Sequence, residues 1–170
     1  MSFFKKSFSS DKNPGNNKPD IDALLLLPNA DAAIIEIDNY VCELGSWGDT
    51  LEQLTEPQKN FYFNQNLERE INNGGFDQFF SNSSGDYAHE TLTSLKLIGA
   101  NKTVDILQKA IDQFPNSTVS KDRDKRQNFL EQMEEKANEV WEQLDQAFYK
   151  YDDNLNDLNI EFIKQNKNSF

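Results

Sequence analysis

From Leu130 to Tyr151 the apolar residues recur at steps of three and four: Leu130, Met133, Ala137, Val140, Leu144, Ala147 and Tyr151, with Trp141 and Phe148 beside them. Only an α-helix gathers such a set onto one side, because its period is 3.6 residues and a strand's is 2. The whole segment after Ser120 predicts either one amphipathic helix of about eight turns or two helices with a slight break. The same period governs the rest of the chain. It appears in Ala33, Ile34, Ile37, Val41 and Leu44, and in Phe61, Phe63, Leu67 and Ile71. It returns in Tyr87, Ala88, Leu92, Leu95 and Ile98, then in Val104, Leu107, Ala110, Ile111 and Phe114, and last in Leu155, Leu158, Phe162 and Ile163. No alternating run is long enough for a strand. The expected fold is all-α, a single compact domain of six or seven helices that ends in the long amphipathic helix or helix pair.

Turn-forming residues divide these segments. Gly45 and Gly48 close the first helix. Thr55 is placed to cap the second, with Pro57 in its first turn. Asn72-Asn73-Gly74-Gly75 stops that helix, and a short one follows over Phe76 to Ser81. Ser83-x-x-Asp86 has the form of a capping box for the next. Gly99 and Pro115 end two more, and Asp152-Asp153-Asn154 opens the last. Residues 9–20, SSDKNPGNNKPD, have linker composition. Residues 1–20 are therefore expected to precede a domain spanning 21–170. Phe3, Phe4 and Phe8 beside Lys5 and Lys6 form no continuous apolar core of a signal peptide.

Charge narrows the function. The chain carries a net charge of −12, which makes direct binding to nucleic acid phosphates repulsive and suits a basic partner. The single cysteine, Cys42, can form no internal disulfide, which fits a reducing, cytoplasmic setting. No apolar stretch is long enough to span a membrane. The lone His89 cannot build a two-histidine metal site, and HETLT at 89–93 lacks the second histidine of a zinc protease. Cys42 reads as a small core residue rather than a nucleophile. Neither a cofactor nor enzymatic activity is expected.

The densest cluster of turn residues is INNGGFDQFFSNSSG at 71–85, with three Asn, three Gly, three Ser and three Phe. Together with LTEPQKNFYFNQNLERE before it, and LKLIGANKTVDILQKAI and LDQAFYKYDDNLNDLNIEFI after it, this stretch resembles the all-helical family of DNA mimic protein nineteen and its relatives. The resemblance runs from about Leu51 to Ile163. It implies the family's helical fold and a homodimer. The family's named member presents acidic surface that a DNA-binding regulator takes for DNA; the 71–85 segment, with the single carboxylate Asp77, is not such a surface, so mimicry would reside in surface acids elsewhere.

Two regions could carry function. Between Glu131 and Glu161 lie ten carboxylates offset only by Lys136 and Lys150. If the helix is continuous, Glu131, Glu135, Glu139, Glu142 and Asp145 line one side of it. Neighbours at such spacing lie roughly 5–6 Å apart between Cβ atoms, close to the phosphate repeat along a DNA strand. These residues are the candidate surface for a basic partner such as a DNA-binding regulator. The competing reading is the solvated outer face that any soluble helix shows. The second region is the polar part of the 71–85 segment: Asn72, Asn73, Gly74, Gly75, Gln78, Asn82, Ser83 and Gly85. Its amides could recognise a neutral ligand, in a small-ligand module or an unrecognised enzyme. They could equally belong to a connector whose amides hydrogen-bond backbone groups at helix ends. An immunity or antitoxin protein would also present acidic surface to a basic toxin.

Overall fold

The polypeptide is organised around one helix, Glu56–Ser81, which contributes side chains to both halves of the core. The computed structural model describes residues 18–133 and 135–170, with side chains described at all of these except 135–137. Among the described residues there are eight α-helices: α1 (Ile21–Leu24), α2 (Ala30–Leu44), α3 (Glu56–Ser81), α4 (Ala88–Ile98), α5 (Asn101–Ile111), α6 (Arg123–Gln132), α7 (Glu135–Phe148) and α8 (Leu155–Gln165). The described residues contain no strand. The fold is all-α, as the periodicity requires. The expected linker over residues 1–20 lies outside the described residues except for its last three.

The count exceeds six or seven for identifiable reasons. One extra helix is the single turn of α1, too short to show a period. The long C-terminal run is a helix pair, because Met133 takes extended backbone (φ −64°, ψ 127°) and ends α6. The segment expected as a separate short helix, Phe76 to Ser81, instead continues α3 beyond a kink at Gly74 and Gly75.

The first part of α3 packs Phe61, Tyr62 and Phe63 against Ile34, Ile37 and Val41 of α2 and Ile160 and Ile163 of α8. Phe170 closes this cluster, its ring edge-on to Phe61 at a centroid distance of 5.8 Å. The later part packs Leu67, Ile71, Phe76, Phe79 and Phe80 against α4, α5 and α7. There Phe80 stacks on Trp141 at 5.0 Å, and the Trp141 indole N–H donates to the Ala110 carbonyl at 3.1 Å. Such aromatic pairs add to their burial roughly 0.5–1.5 kcal/mol each.

Local chemistry explains several boundaries. Thr55 and Gln58 form a complete capping box at the start of α3. Gly99 ends α4 in the left-handed conformation (φ 78°). The capping box expected from Ser83 and Asp86 does not form. Residues Ser83–Tyr87 make a short 3-10 turn instead, and no side chain caps α4. Asp86 has a stronger partner, the guanidinium of Arg126, at 2.6 Å.

Arg126 is almost completely buried. Its Nε donates to the Phe80 carbonyl (2.6 Å), Nη1 to the Ser120 carbonyl (2.6 Å) and Nη2 to the Asn82 carbonyl (3.0 Å). Beside it Gln127 Nε2 donates to the Ser81 carbonyl at 2.7 Å. Three successive carbonyls at the end of α3, those of Phe80, Ser81 and Asn82, thus accept hydrogen bonds from α6, the last of them alongside the Gly85 N–H of the following turn (3.1 Å). Removing one partner of such a buried set strands the others, which costs about 3–5 kcal/mol. Arg126→Ala is therefore expected to lower the unfolding free energy by about that amount in urea titration, more than Lys125→Ala at the exposed neighbouring position, which should change it by under about 0.5 kcal/mol. In the other half of the core, Phe170→Ala should cost about 3–5 kcal/mol in the same titration.

Candidate functional site

At the kink α3 changes direction over two glycines. Gly74 is extended (φ −162°), and Gly75 has φ 70° with ψ −167°, a region open only to glycine. A Cβ at Gly75 would collide with the Asp145 carboxylate of α7. That approach is close because Asp145 Oδ1 accepts the Phe76 backbone N–H at 2.9 Å. The kink leaves Phe76 without a helical acceptor, and α7 supplies one. Burial holds the Asp145 carboxyl above the usual carboxylate range; the Phe76 N–H opposes this, while Glu142 and Asp77 reinforce it.

The amides beyond the kink converge on one carboxylate. Glu70 accepts hydrogen bonds from Gln78 Nε2 (2.6 Å), Asn82 Nδ2 (2.9 Å) and Ser84 Oγ (2.8 Å). Asn66 Nδ2 donates to Ser84 Oγ at 3.0 Å, and Arg69 Nη1 donates to Asn66 Oδ1 at 2.9 Å. Arg69 then pairs with Asp38 of α2 at 2.6 Å. A chain of polar contacts therefore runs from α2 through α3 to the turn after it. Asn72 Nδ2 donates to the Tyr151 hydroxyl at 2.6 Å. Asn73 and Ser83 are exposed. Gly85 lies so close to Phe80 and Arg126 that a Cβ would come within 2.7 Å of each. Gln78 and Asn82 were expected to serve a ligand or backbone groups; in the structure their donors serve a carboxylate of their own helix.

Cys42 and His89 have separate partners. The thiol is buried between Asp38 and Arg69, and burial, reinforced by Asp38, pushes it up to about 12. His89 Nε2 accepts the Val119 N–H at 3.2 Å.

The acidic stripe is distributed differently from a continuous helix. The extended residue Met133 separates Glu131 on α6 from Glu139, Glu142 and Asp145 on α7. The side chain of Glu135 lies outside the described residues. Glu131, Glu139 and Glu142 are exposed, and among the described residues none of them forms an ion pair. On α7, Glu139 and Glu142 lie opposite the buried Trp141, Leu144 and Phe148 and share the outer face with Asn138, Gln143 and Gln146. Asp145 is half-buried and committed to Phe76. Asp153 is likewise committed: its Oδ2 accepts the Thr103 N–H (2.8 Å) and hydroxyl (3.0 Å) at the start of α5, where no local side chain caps. Sequence reasoning missed Glu70, Arg126 and Gln127. A signal for Glu70 was present, since it immediately precedes the amide-rich segment and sits four residues after Asn66. Nothing local marked Arg126, whose partners are 40 or more residues away except for Ser120.

Among the described residues no group of three or more His, Cys, Asp or Glu side chains is arranged to hold a metal ion, and no helix is long and apolar enough to cross a membrane. A family model described as DMP19-like protein matches residues 52–166. No curated protein and no solved structure matches the chain. The matched span holds the kink, the Glu70 contacts, Arg126, and α4 to α8; α1 and α2 lie before it.

Asp145 offers a test of the kink. Asp145→Ala removes the acceptor of the Phe76 N–H and should destabilise the fold by about 1 kcal/mol, in the range of a lost N-cap. Asp145→Asn keeps an acceptor oxygen and removes the charge, so it should retain that stability at neutral pH. The sign of the pH dependence follows from the raised carboxyl. The folded chain holds this proton more tightly than the unfolded chain, so the contribution of Asp145 to stability falls as pH rises from the ordinary carboxylate range through its raised value. Urea titrations across this range should show that decline in the native protein and a smaller one in Asp145→Asn.

Proposed function

The chain belongs to the DMP19-like family, and from that premise we propose that it is a non-enzymatic interaction protein whose acidic helical surface binds a basic DNA-binding protein in competition with DNA. The observation that carries this reading is the outer side of α6 and α7. There Glu131, Glu139 and Glu142 stand exposed and, among the described residues, without cationic partners. Glu139 and Glu142 are one turn apart and act as stand-ins for successive phosphates. The net charge of −12 raises the encounter rate with a basic partner and repels DNA itself.

Charge density sets a further requirement. The 14 residues of α7 extend about 21 Å, a length over which duplex DNA carries about 12 charges. One helix face cannot supply that density, and Asp145 is diverted to the kink. A second stripe is needed, and a homodimer would place a symmetry-related α7 on the same assembly. The engagement of Gln78 and Asn82 by Glu70 weighs against a small-ligand site in the 71–85 segment. In this reading the protein performs no chemistry and acts in the cytoplasm on a transcription regulator or a similar basic protein.

Affinity purification with partner identification, followed by titration of the purified pair, tests the proposal. Affinity should fall steeply between low and high salt. Glu131→Gln, Glu139→Gln and Glu142→Gln combined should weaken binding about tenfold at low salt and flatten the salt dependence. Equal affinity at low and high salt would falsify the mimic reading.

A further inference from the structure

The two tryptophans occupy opposite environments. Trp141 is 2% exposed and Trp47 is 64% exposed. Trp47 sits in the turn after α2, where Ser46 (φ 48°), Trp47 (φ 58°) and Gly48 (φ 108°) are three consecutive left-handed residues. For Ser and Trp this conformation is costly and persists only where surrounding contacts enforce it. Here the Gly45 carbonyl accepts the N–H groups of Gly48 (2.9 Å) and Thr50 (3.0 Å), and the Ser46 carbonyl accepts that of Asp49 (3.2 Å). The Trp47 carbonyl accepts the hydroxyl of Tyr62 at 3.3 Å. Burial pushes that phenol up to about 12, so it remains a donor throughout the physiological range. Gly48 presses on the same hydroxyl, which a Cβ would approach to 2.7 Å. The turn is thus rigidly held while its large aromatic side chain stands in solvent.

The charge around it is one-sided. Between Lys18 and Lys59 the chain has nine carboxylates and no lysine or arginine; Asp22, Asp38 and Glu56 pair with cations from outside the run. Glu43, Asp49 and Glu52 flank Trp47 in sequence, are exposed, and among the described residues form no ion pair. The 15-residue α2 ends at Leu44 with no basic residue in its last turn, so its negative terminus adds to the same field.

We infer that Trp47, held out on the Ser46–Gly48 turn and flanked in sequence by the exposed Glu43, Asp49 and Glu52, is the anchor of a second docking surface, which takes an arginine-bearing segment of a basic protein. Tryptophan is the side chain most favourable to a cation over its ring face. The planar, weakly hydrated guanidinium stacks there better than an ammonium, and the surrounding carboxylates accept its N–H groups. Exposed tryptophan is also a residue type enriched among interface hot spots. The surface lies almost entirely before residue 52, where the family match begins. It rests on the reading that the partner is basic, and it is separate from the α6–α7 face.

The test titrates the full chain with nona-arginine and nona-lysine at low salt, following tryptophan emission and heat. Trp47→Phe gives the emission of Trp141 alone, and the difference from the native protein reports Trp47. The expected result is a change in Trp47 emission on binding, a stronger response to arginine than to lysine, and affinity for nona-arginine roughly fivefold weaker in Trp47→Ala. Glu43→Gln with Glu52→Gln should weaken it similarly, while Glu139→Gln with Glu142→Gln leaves the Trp47 response in place. Peptide binding at full affinity to Trp47→Ala but reduced binding to Glu139→Gln/Glu142→Gln overturns the inference and spares the α6–α7 reading. Absence of binding to the native protein overturns both. An equal response to a glycine–serine peptide also overturns the inference, because the charge would then play no part.

Discussion

Arg126 is the contact on which the arrangement of this molecule most depends. A helix that ends inside a protein leaves carbonyls that need donors. At the end of α3 these donors come from one guanidinium and its neighbour Gln127, both on α6. The fork geometry of arginine lets a single side chain serve Phe80, Asn82, Ser120 and Asp86 together. A lysine, with one nitrogen, could not span those positions. This contact fixes where α6 lies, and the break at Met133 then lets α7 turn so that Trp141 reaches Phe80 and Ala110.

A second theme is the supply of helix caps from distant parts of the chain. Asp145 caps the resumed helix at Phe76, and Asp153 caps α5 at Thr103. Both come from the acidic C-terminal third. Five of its carboxylates show two kinds of work. Asp145 and Asp153 are partly enclosed and hold the fold together. Glu131, Glu139 and Glu142 face solvent and are available to a partner. The same chemical group serves both ends because a carboxylate satisfies an orphan N–H and a partner's cation equally well. Only its surroundings decide which it meets.

The acidic surface is also broader than the C-terminal stripe. The run from Asp20 to Glu56 carries carboxylates without any lysine or arginine, and it surrounds the one exposed tryptophan. The exposed carboxylates form two acidic regions of different character. One, on α6 and α7, is a set of exposed glutamates. The other, at the end of α2, combines charge with an aromatic anchor. In the 71–85 segment, by contrast, the glycines permit the kink, the three phenylalanines are buried, and the amides of Gln78 and Asn82 bind Glu70.

Much of the fold is legible in the amino-acid sequence because helix formation is local. The apolar steps of three and four place α2 to α5, α7 and α8 and identify their buried faces. Thr55, Pro57, Gly45 and Gly99 mark ends through chemistry that acts within four residues. The family could likewise be read from INNGGFDQFFSNSSG and its flanks. Tertiary structure decided what depends on contacts between distant residues. Local spacing makes Ser83 and Asp86 a capping box, but Asp86 instead pairs with the buried guanidinium of Arg126, 40 residues on. The spacing of Glu131 to Asp145 makes one stripe; the break at Met133 and the bond from Phe76 to Asp145 divide it. Spacing alone does not say what the amides of Gln78 and Asn82 bond; the fold brings Glu70, one turn before the kink, beside them. Periodicity and turn chemistry settle where this chain is helical, since those energies are summed along the chain. The role of each polar side chain is settled by the neighbour that packing delivers, and no local pattern encodes that neighbour.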